Sequence, residues 1–147
     1  MSKPTIIKGD NFIDYRGRLN FCNDMDFSKV KRFYEIVHDK DGQRRGLHGH
    51  LIEEKWMRVT QGTFQVLLAP IVKIGDQVKL LGVDHWEVLE FTLSEYKPQI
   101  LHIPNFYANG IRNLTTNAKM TIYSSVSIEE AKNDDYRFNC DDISARC

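Results

Sequence analysis

The chain has 147 residues, with 20 basic and 20 acidic side chains. That is long enough for one domain, residues 1–147, with a sizeable core, and its balanced charge points to neither nucleic acid nor a membrane surface as partner. No apolar run approaches the roughly eighteen residues of a membrane span, residues 1–7 carry no run of signal-peptide length, and the three cysteines (Cys22, Cys140 and Cys147) are odd in number and scattered; the expectation is a reduced, cytoplasmic protein.

In chain order the sequence reads as short strands. Residues 5–8 and 18–21 are brief apolar pieces, separated by Gly9-Asp10-Asn11 and by the turn signature Asp14-Tyr15-Arg16-Gly17. Residues 30–37 are rich in aromatic and β-branched side chains and stop at Asp39-Lys40-Asp41-Gly42, a strand followed by a turn. The stretch from Gln43 to Lys55 holds Arg44, Arg45, His48, His50, Glu53 and Glu54 around Gly46 and Gly49. If it is extended, period-two geometry sends His48 and His50 to one face of a sheet and Leu47 and Gly49 to the other. Such a pair can move a proton or bind a metal, and it can equally lie on an exposed strand.

Residues 55–60 run into Gln61-Gly62 and restart at residues 63–68, which predicts a paired hairpin bent at the glycine. Residues 70–84 read as an edge hairpin or surface loop, and residues 86–93, 99–103, 111–114 and 119–126 as further strands. Strands every eight to twelve residues, with almost no helical periodicity, predict an all-β sandwich or barrel. Ser127 and Glu130 have the spacing of a capping box, so one short helix is expected near the C-terminus.

Two sets of motifs carry resemblances. Gly42, His48, His50, Glu54 and, one residue late, Gly62 are similar to the first motif of the metal-binding cupins. The second cupin motif falls on Pro104, Phe106, Asn109 and Asn113, where Asn109 stands in place of a histidine ligand. An amide is a poor ligand for a transition metal. The resemblance implies a cupin jelly roll, a β-sandwich or barrel with a short C-terminal helix, and no metal or other cofactor is expected.

Asp14-Tyr15-Arg16-Gly17, Arg45-Gly46-Leu47-His48, Lys55-Trp56-Met57-Arg58-Val59 with Gly62, Trp86, Leu93-Ser94, and Ile103-Pro104 with Ala108 and Gly110 resemble, in order, the motifs of the dTDP-4-dehydrorhamnose 3,5-epimerases. Val30-Lys31-Arg32-Phe33-Tyr34, Arg45-Gly46-Leu47-His48-Gly49-His50 and Asp134-Asp135-Tyr136 are similar to motifs of the dTDP-sugar 3,4-ketoisomerases. Both resemblances imply a nucleotide-linked 4-keto-6-deoxy hexose, whose C3 proton is acidified by the neighbouring ketone. His48 is then the expected base, Lys55 the cation at the enolate oxygen, and His50 a second acid, base or orienting group. Arg45 and Arg16 are the expected diphosphate ligands, with Arg16 implied to reach the neighbouring site of a homodimer.

Tyr34, Arg58, Tyr107 and Asn109 complete the expected substrate contacts. The tyrosine that the epimerases use as proton donor has no counterpart on its motif, where this chain has Ser127-Ile128-Glu129-Glu130; Tyr123 is the replacement adopted, with Tyr107 and Tyr136 as others. The epimerase-type motifs favour an isomerase that keeps the ketone at C4, and the 3,4-ketoisomerase is the alternative. Readings from other classes are a metal-dependent small-molecule cupin and a catalytically silent sugar-binding cupin. Arg16 bracing only its own turn, and Lys55 as a solvated strand residue, are the plainer readings of those two positions.

Overall fold

The structure is a computed structural model and describes residues 2–81 and 88–143. Its strands are β1 (Thr5–Lys8), β2 (Asp10–Asp14), β3 (Gly17–Phe21), β4 (Arg32–His38), β5 (Arg44–His50), β6 (Lys55–Gln61), β7 (Thr63–Ile74), β8 (Gln77–Leu80), β9 (Leu89–Ser94), β10 (Gln99–Ile103), β11 (Tyr107–Asn113), β12 (Ala118–Ser124) and β13 (Tyr136–Arg137). A one-turn helix, α1 (Ile128–Ala131), lies between β12 and β13, and a 3₁₀ turn covers Cys140–Ile143. Among the described residues one sheet runs β1-β10-β6-β12-β4, the other runs β13-β5-β11-β7-β8 with β9 also on β7, and β2-β3 form a separate hairpin. The fold is the expected cupin-type jelly roll, all-β with a short helix late in the chain.

Alternation along the strands decides what lies between the sheets. In β12, Ala118, Met120, Ile122 and Ser124 are buried while Lys119, Thr121 and Tyr123 are less so, the period-two signature of a strand with one face on the core. Met57, Val59, Leu101, Met120 and Ile122 from the first sheet pack with Phe64, Val66, Leu68, Tyr107 and Ile111 from the second. Leu47, Ala108 and Ile71 point through the second sheet to its far side, where Phe138 and Ile143 of the C-terminal segment cover them. Each fully buried leucine of this kind stabilises the fold by about 1.5–3 kcal/mol. The outer face of the first sheet carries a smaller cluster of Met25, Trp56 and Ile100.

Three expectations change. β6 and β7 do not pair: they lie in different sheets, and Gly62, at φ +74°, turns the chain from one sheet into the other. Glu95 accepts the Gly62 N–H at that corner, so a side chain from beyond β9 satisfies the donor that a hairpin partner would have taken. The residues before the turn at Tyr15 and Arg16 are also a strand, β2, in register with β3 from Asp10↔Phe21 to Asp14↔Gly17. Cys22 is a free thiol, but Cys140 is disulfide-bonded, which departs from three reduced thiols; Cys147 lies outside the described residues.

The capping box is present as expected, Ser127 accepting from the Glu130 N–H while the Glu130 carboxylate accepts from the Ser127 N–H. Residues 70–84 resolve into the end of β7 and an edge strand β8 as far as they are described. Trp86, the first residue of an expected strand and part of a family motif, lies outside the described residues. No helix among the described residues is long and apolar enough to cross a membrane.

Candidate active site

The site grows from the register of β5 against β11. His50 stands opposite Tyr107 and His48 opposite Asn109, so all four side chains share the inner face of the second sheet. Between Asn109 and Ile111 the register slips, and Arg45 comes opposite Ile111. Gly46 makes this close approach feasible: its φ is +122°, and a Cβ there would sit 2.7 Å from the Asn109 oxygen and 2.7 Å from the Gly110 Cα. Only glycine tolerates both the conformation and the space.

Facing β5 across the interior are Tyr34 and Ile36 of β4, Lys55 and Met57 of β6, and Ile122 of β12. With Arg45, Gly46, His48, Asn109 and Ile111 they enclose a cavity of about 280 Å³. An imidazole, an ammonium and a guanidinium therefore meet in one partly apolar chamber. Burial is the main reason that His48 is held below histidine's ordinary pKa; Arg137 and Lys55 add to the effect, and Asp135 opposes it. A neutral imidazole beside a cation results, the protonation state a general base needs.

His50 is buried deeper. Its Nδ1–H donates to the Asp134 carbonyl at 2.6 Å and lies 3.2 Å from a Glu53 oxygen, so its bare nitrogen is Nε2, which meets no hydrogen-bond partner among the described residues. Burial, then Lys55, pushes its pKa down against the pull of Glu53. Glu53 anchors the polar layer beneath the cavity. Its carboxylate is 1% exposed, accepts from Ser124 Oγ and from Arg32 at 3.2 Å, and lies 3.8 Å from Lys55 Nζ. Asp134, whose carboxylate accepts the backbone N–H groups of Leu51, Ile52 and Glu53, fixes the turn that puts Glu53 there.

Of the ten residues singled out in the sequence, His48, Lys55, Arg45, Tyr34 and Asn109 line the cavity. His50 and Tyr107 stand side by side on the same inner face, Tyr107 buried enough that its phenol pKa is raised. Tyr123 and Arg58 do not join them. Both line a different cavity of about 210 Å³ on the outer side of the first sheet, with Phe27, Thr60 and Gln99, and Tyr123 packs edge-on against Phe27. The sequence carried the signal: Tyr123 alternates with the buried Ile122 and Ser124, and Arg58 with Met57 and Val59, so period two places them outside. Arg16 is at the hairpin tip, its side chain 71% exposed and ion-paired to Asp14.

His38 was not singled out in the sequence, and Glu53, Arg32 and Asp134 stood there only within quoted stretches, without a role in the site. A paired carboxylate immediately before Lys55 was the available signal for Glu53; nothing local announced that Asp134 would close on a turn more than eighty residues away.

The residues present do not fit a transition metal. Glu54, third in the metal-type cupin motif, is bonded to His102 Nε2 at 2.9 Å and to Lys29 at 3.4 Å, and His102 is stacked on the outward Trp56. Asn109 offers an amide whose Nδ2 donates to the His48 carbonyl. Among the described residues no three His, Cys, Asp or Glu side chains converge.

No protein-family model and no curated relative matches the sequence. Solved structures do match in fold. The QdtA 3,4-ketoisomerase of Thermoanaerobacterium thermosaccharolyticum, crystallised as a double mutant with TDP, superposes with a TM-score of 0.65 at 20% identity over 94% of this chain and 89% of its own. The rmlC epimerase of Mycobacterium tuberculosis gives 0.74 at 14% identity over 93% of this chain and 69% of its own. ChmJ, a 3'-monoepimerase of Streptomyces bikiniensis crystallised with dTDP-quinovose, gives 0.73 at 16% identity over 93% and 70%. At these identities the likeness establishes a shared fold.

Proposed function

We propose that the chain is a sugar-nucleotide isomerase acting on a dTDP-linked 4-keto-6-deoxy hexose by abstraction of the C3 proton, in the cytoplasmic supply of surface-polysaccharide precursors. The observation that carries this reading is the single cavity in which neutral His48, Lys55 and Arg45 meet. Structures of the same fold that hold TDP, dTDP-quinovose or TDP-4-keto-6-deoxyglucose support the ligand class.

In this reading His48 takes the proton from C3. The C–H electron pair becomes the C3=C4 double bond, and the carbonyl π pair moves onto the C4 oxygen. Lys55 faces that oxygen, and a fixed cation at a developing oxyanion is worth about 3–4 kcal/mol of barrier. A proton delivered to C3 from the opposite face by solvent water, as the oxyanion pair re-forms the C4 carbonyl and His48 releases its own proton to solvent, completes an epimerisation and leaves the ketone at C4. Arg45 binds the diphosphate, with Tyr34 and Asn109 as cavity contacts and Tyr107, opposite His50 in the β-ladder, as a further phenol on the same face.

A second reading, 3,4-ketoisomerisation, has its own support: His48 and His50 lie together on one inner face, while Tyr123 stands outside. There the C4 carbon takes the proton removed from C3, the C3 hydroxyl gives up its own as the C3 carbonyl forms, and the C4 oxygen receives one to become a hydroxyl, a shuttle suited to two imidazoles. A homodimer is part of the proposal, supported by the exposed apolar side chains of Phe12, Ile13 and Leu19 on the β2-β3 hairpin and by Phe33, 70% exposed; Arg16 would then complete the neighbouring site.

Incubation of TDP-4-keto-6-deoxyglucose in deuterium oxide tests the reading. Deuterium appears at C3 with the wild-type chain and is abolished by His48→Asn, while dTDP affinity is nearly unchanged because a proton acceptor and not a phosphate ligand has been removed. Absence of exchange with the wild type refutes it. Carbon NMR of the product separates the two outcomes, a carbonyl at C3 ruling out the epimerase and deuterium at C3 or C5 with an unmoved ketone ruling out the ketoisomerase.

A further inference from the structure

We propose that His38 is a positioning residue, an imidazole locked in its Nδ1–H tautomer that aims the Arg45 guanidinium into the cavity. Arg45 Nε donates to His38 Nε2 at 3.0 Å. Among the described residues no other side-chain hydrogen bond or ion pair holds Arg45, whose side chain is otherwise exposed at the cavity mouth. A guanidinium N–H can donate only to a nitrogen with a free lone pair, so Nε2 carries no proton.

The far side of the ring explains how that state is kept. His38 Nδ1 lies 3.0 Å from Asn113 Oδ1. The orientation of Asn113 is decided by three other bonds: its Nδ2 donates to the carbonyls of Lys40 and Thr115, and its Oδ1 accepts the Gln43 N–H at 2.8 Å. With an oxygen therefore facing it, Nδ1 must be the donor. The other tautomer would set two donors against each other at Arg45 and two acceptors at Asn113. His38 and Asn113 are 3% and 1% exposed, so water does not replace either bond, and the ring also packs on Phe64 at 5.6 Å.

The arrangement matters for ligand binding. A free arginine samples many rotamers and loses that freedom when it grips a ligand. With Nε already engaged, Arg45 keeps its two terminal amino groups for an anion and approaches it in a fixed direction. The chain Gln43–Asn113–His38–Arg45 thus joins the turn before β5 to the end of β11 and to β4, and presents one cation at the cavity. The inference rests on the reading of Arg45 as a diphosphate ligand only for its affinity arm.

Two measurements test it. In the full chain labelled with ¹⁵N-histidine, a long-range proton–nitrogen correlation spectrum near neutral pH should show His38 Nε2 unprotonated and Nδ1 protonated. A protonated Nε2 overturns the proposal whatever the ligand. Calorimetric titration with dTDP then compares two variants. His38→Phe keeps the contact with Phe64 but offers Arg45 no acceptor, and should weaken dTDP binding about tenfold, the scale of one hydrogen bond to a charged group. His38→Gln places a carbonyl oxygen where Nε2 stands, and should restore binding to within about threefold of wild type, because the acceptor for Arg45 is returned. Equal losses in the two variants, or none in either, overturn it.

In an Arg45→Ala background His38→Phe should cost no further affinity, since both changes act through one guanidinium; a full additional loss counts against the proposal. If wild-type protein binds no dTDP, the nucleotide reading falls, while the tautomer of His38 still decides whether Arg45 is held as described.

Discussion

Replacing Glu53 by glutamine changes one charge and almost no volume. Its carboxylate is 1% exposed and lies 3.2 Å from Arg32, 3.2 Å from His50 and 3.8 Å from Lys55, so it balances the Arg32 and Lys55 cations at the floor of the cavity. At an effective dielectric of about 20, a charge pair at the Lys55 distance is worth about 4 kcal/mol. Part of that offsets desolvation of the two groups, but removing one partner strands the other, and measured losses for buried pairs run at about 3–5 kcal/mol.

Glu53→Gln should therefore lower unfolding free energy by about 3 kcal/mol and the melting temperature by about 6–12 °C for a chain of this size. Urea denaturation followed by fluorescence measures it, with an unchanged slope showing that the denatured state is the same. The double variant Glu53→Gln/Lys55→Met should recover at least about 1 kcal/mol of the summed single losses, because it leaves neither charge of that pair stranded. A Glu53→Gln loss below about 0.5 kcal/mol, or strictly additive losses in the double variant, would refute the account of Glu53 as the counter-ion of Lys55.

Other outcomes follow from the same geometry. His48 and His50 are both held below histidine's ordinary pKa of about 6.5; the unfolded chain binds more protons there, so their contribution to stability is complete above about pH 6.5 and is lost as pH falls through the lower folded values. If His48 is the base, the acid limb of kcat/KM lies below pH 6.5, and a limb centred above about 7 would exclude it. Tyr123→Phe and Arg58→Ala, on the outer face, should leave turnover within about twofold, as surface changes away from a site usually do; a hundredfold loss of kcat from either would return it to the active site. Gly46→Ala should cost more than about 1 kcal/mol and abolish turnover, since the positive φ is lost to an L side chain and the new Cβ meets the Asn109 carbonyl; a folded, active variant would show that the β5-β11 approach is not needed. Dialysis against a chelator should leave turnover unchanged, and loss restored by one transition metal would contradict the reading of Glu54 and Asn109.

The kind of fold, and the strand that carries both imidazoles, are legible from the residues alone. Alternation in residues 119–124 and the run of turn residues between short β-branched segments leave few options besides two facing sheets, and His-x-His on an extended strand puts both imidazoles on one face whatever surrounds them. The capping box at Ser127 and Glu130 was legible for the same reason, since its geometry is local.

Strand pairing, charge partners and side-chain direction depend on residues distant in the chain. Gly62 looks like a hairpin bend, but whether β6 and β7 pair or part depends on what flanks each of them: β10 and β12 take both edges of β6, while β9 and β11 take both edges of β7. Lys55 lines the cavity beside a buried Glu53, and the turn that carries Glu53 is capped by Asp134 from the far end of the chain. Arg45 acquired its direction from His38 in the preceding strand and Asn113 in β11. Periodicity reports which way a side chain faces; its charge partner and its orientation are set by whichever strands the fold lays beside it.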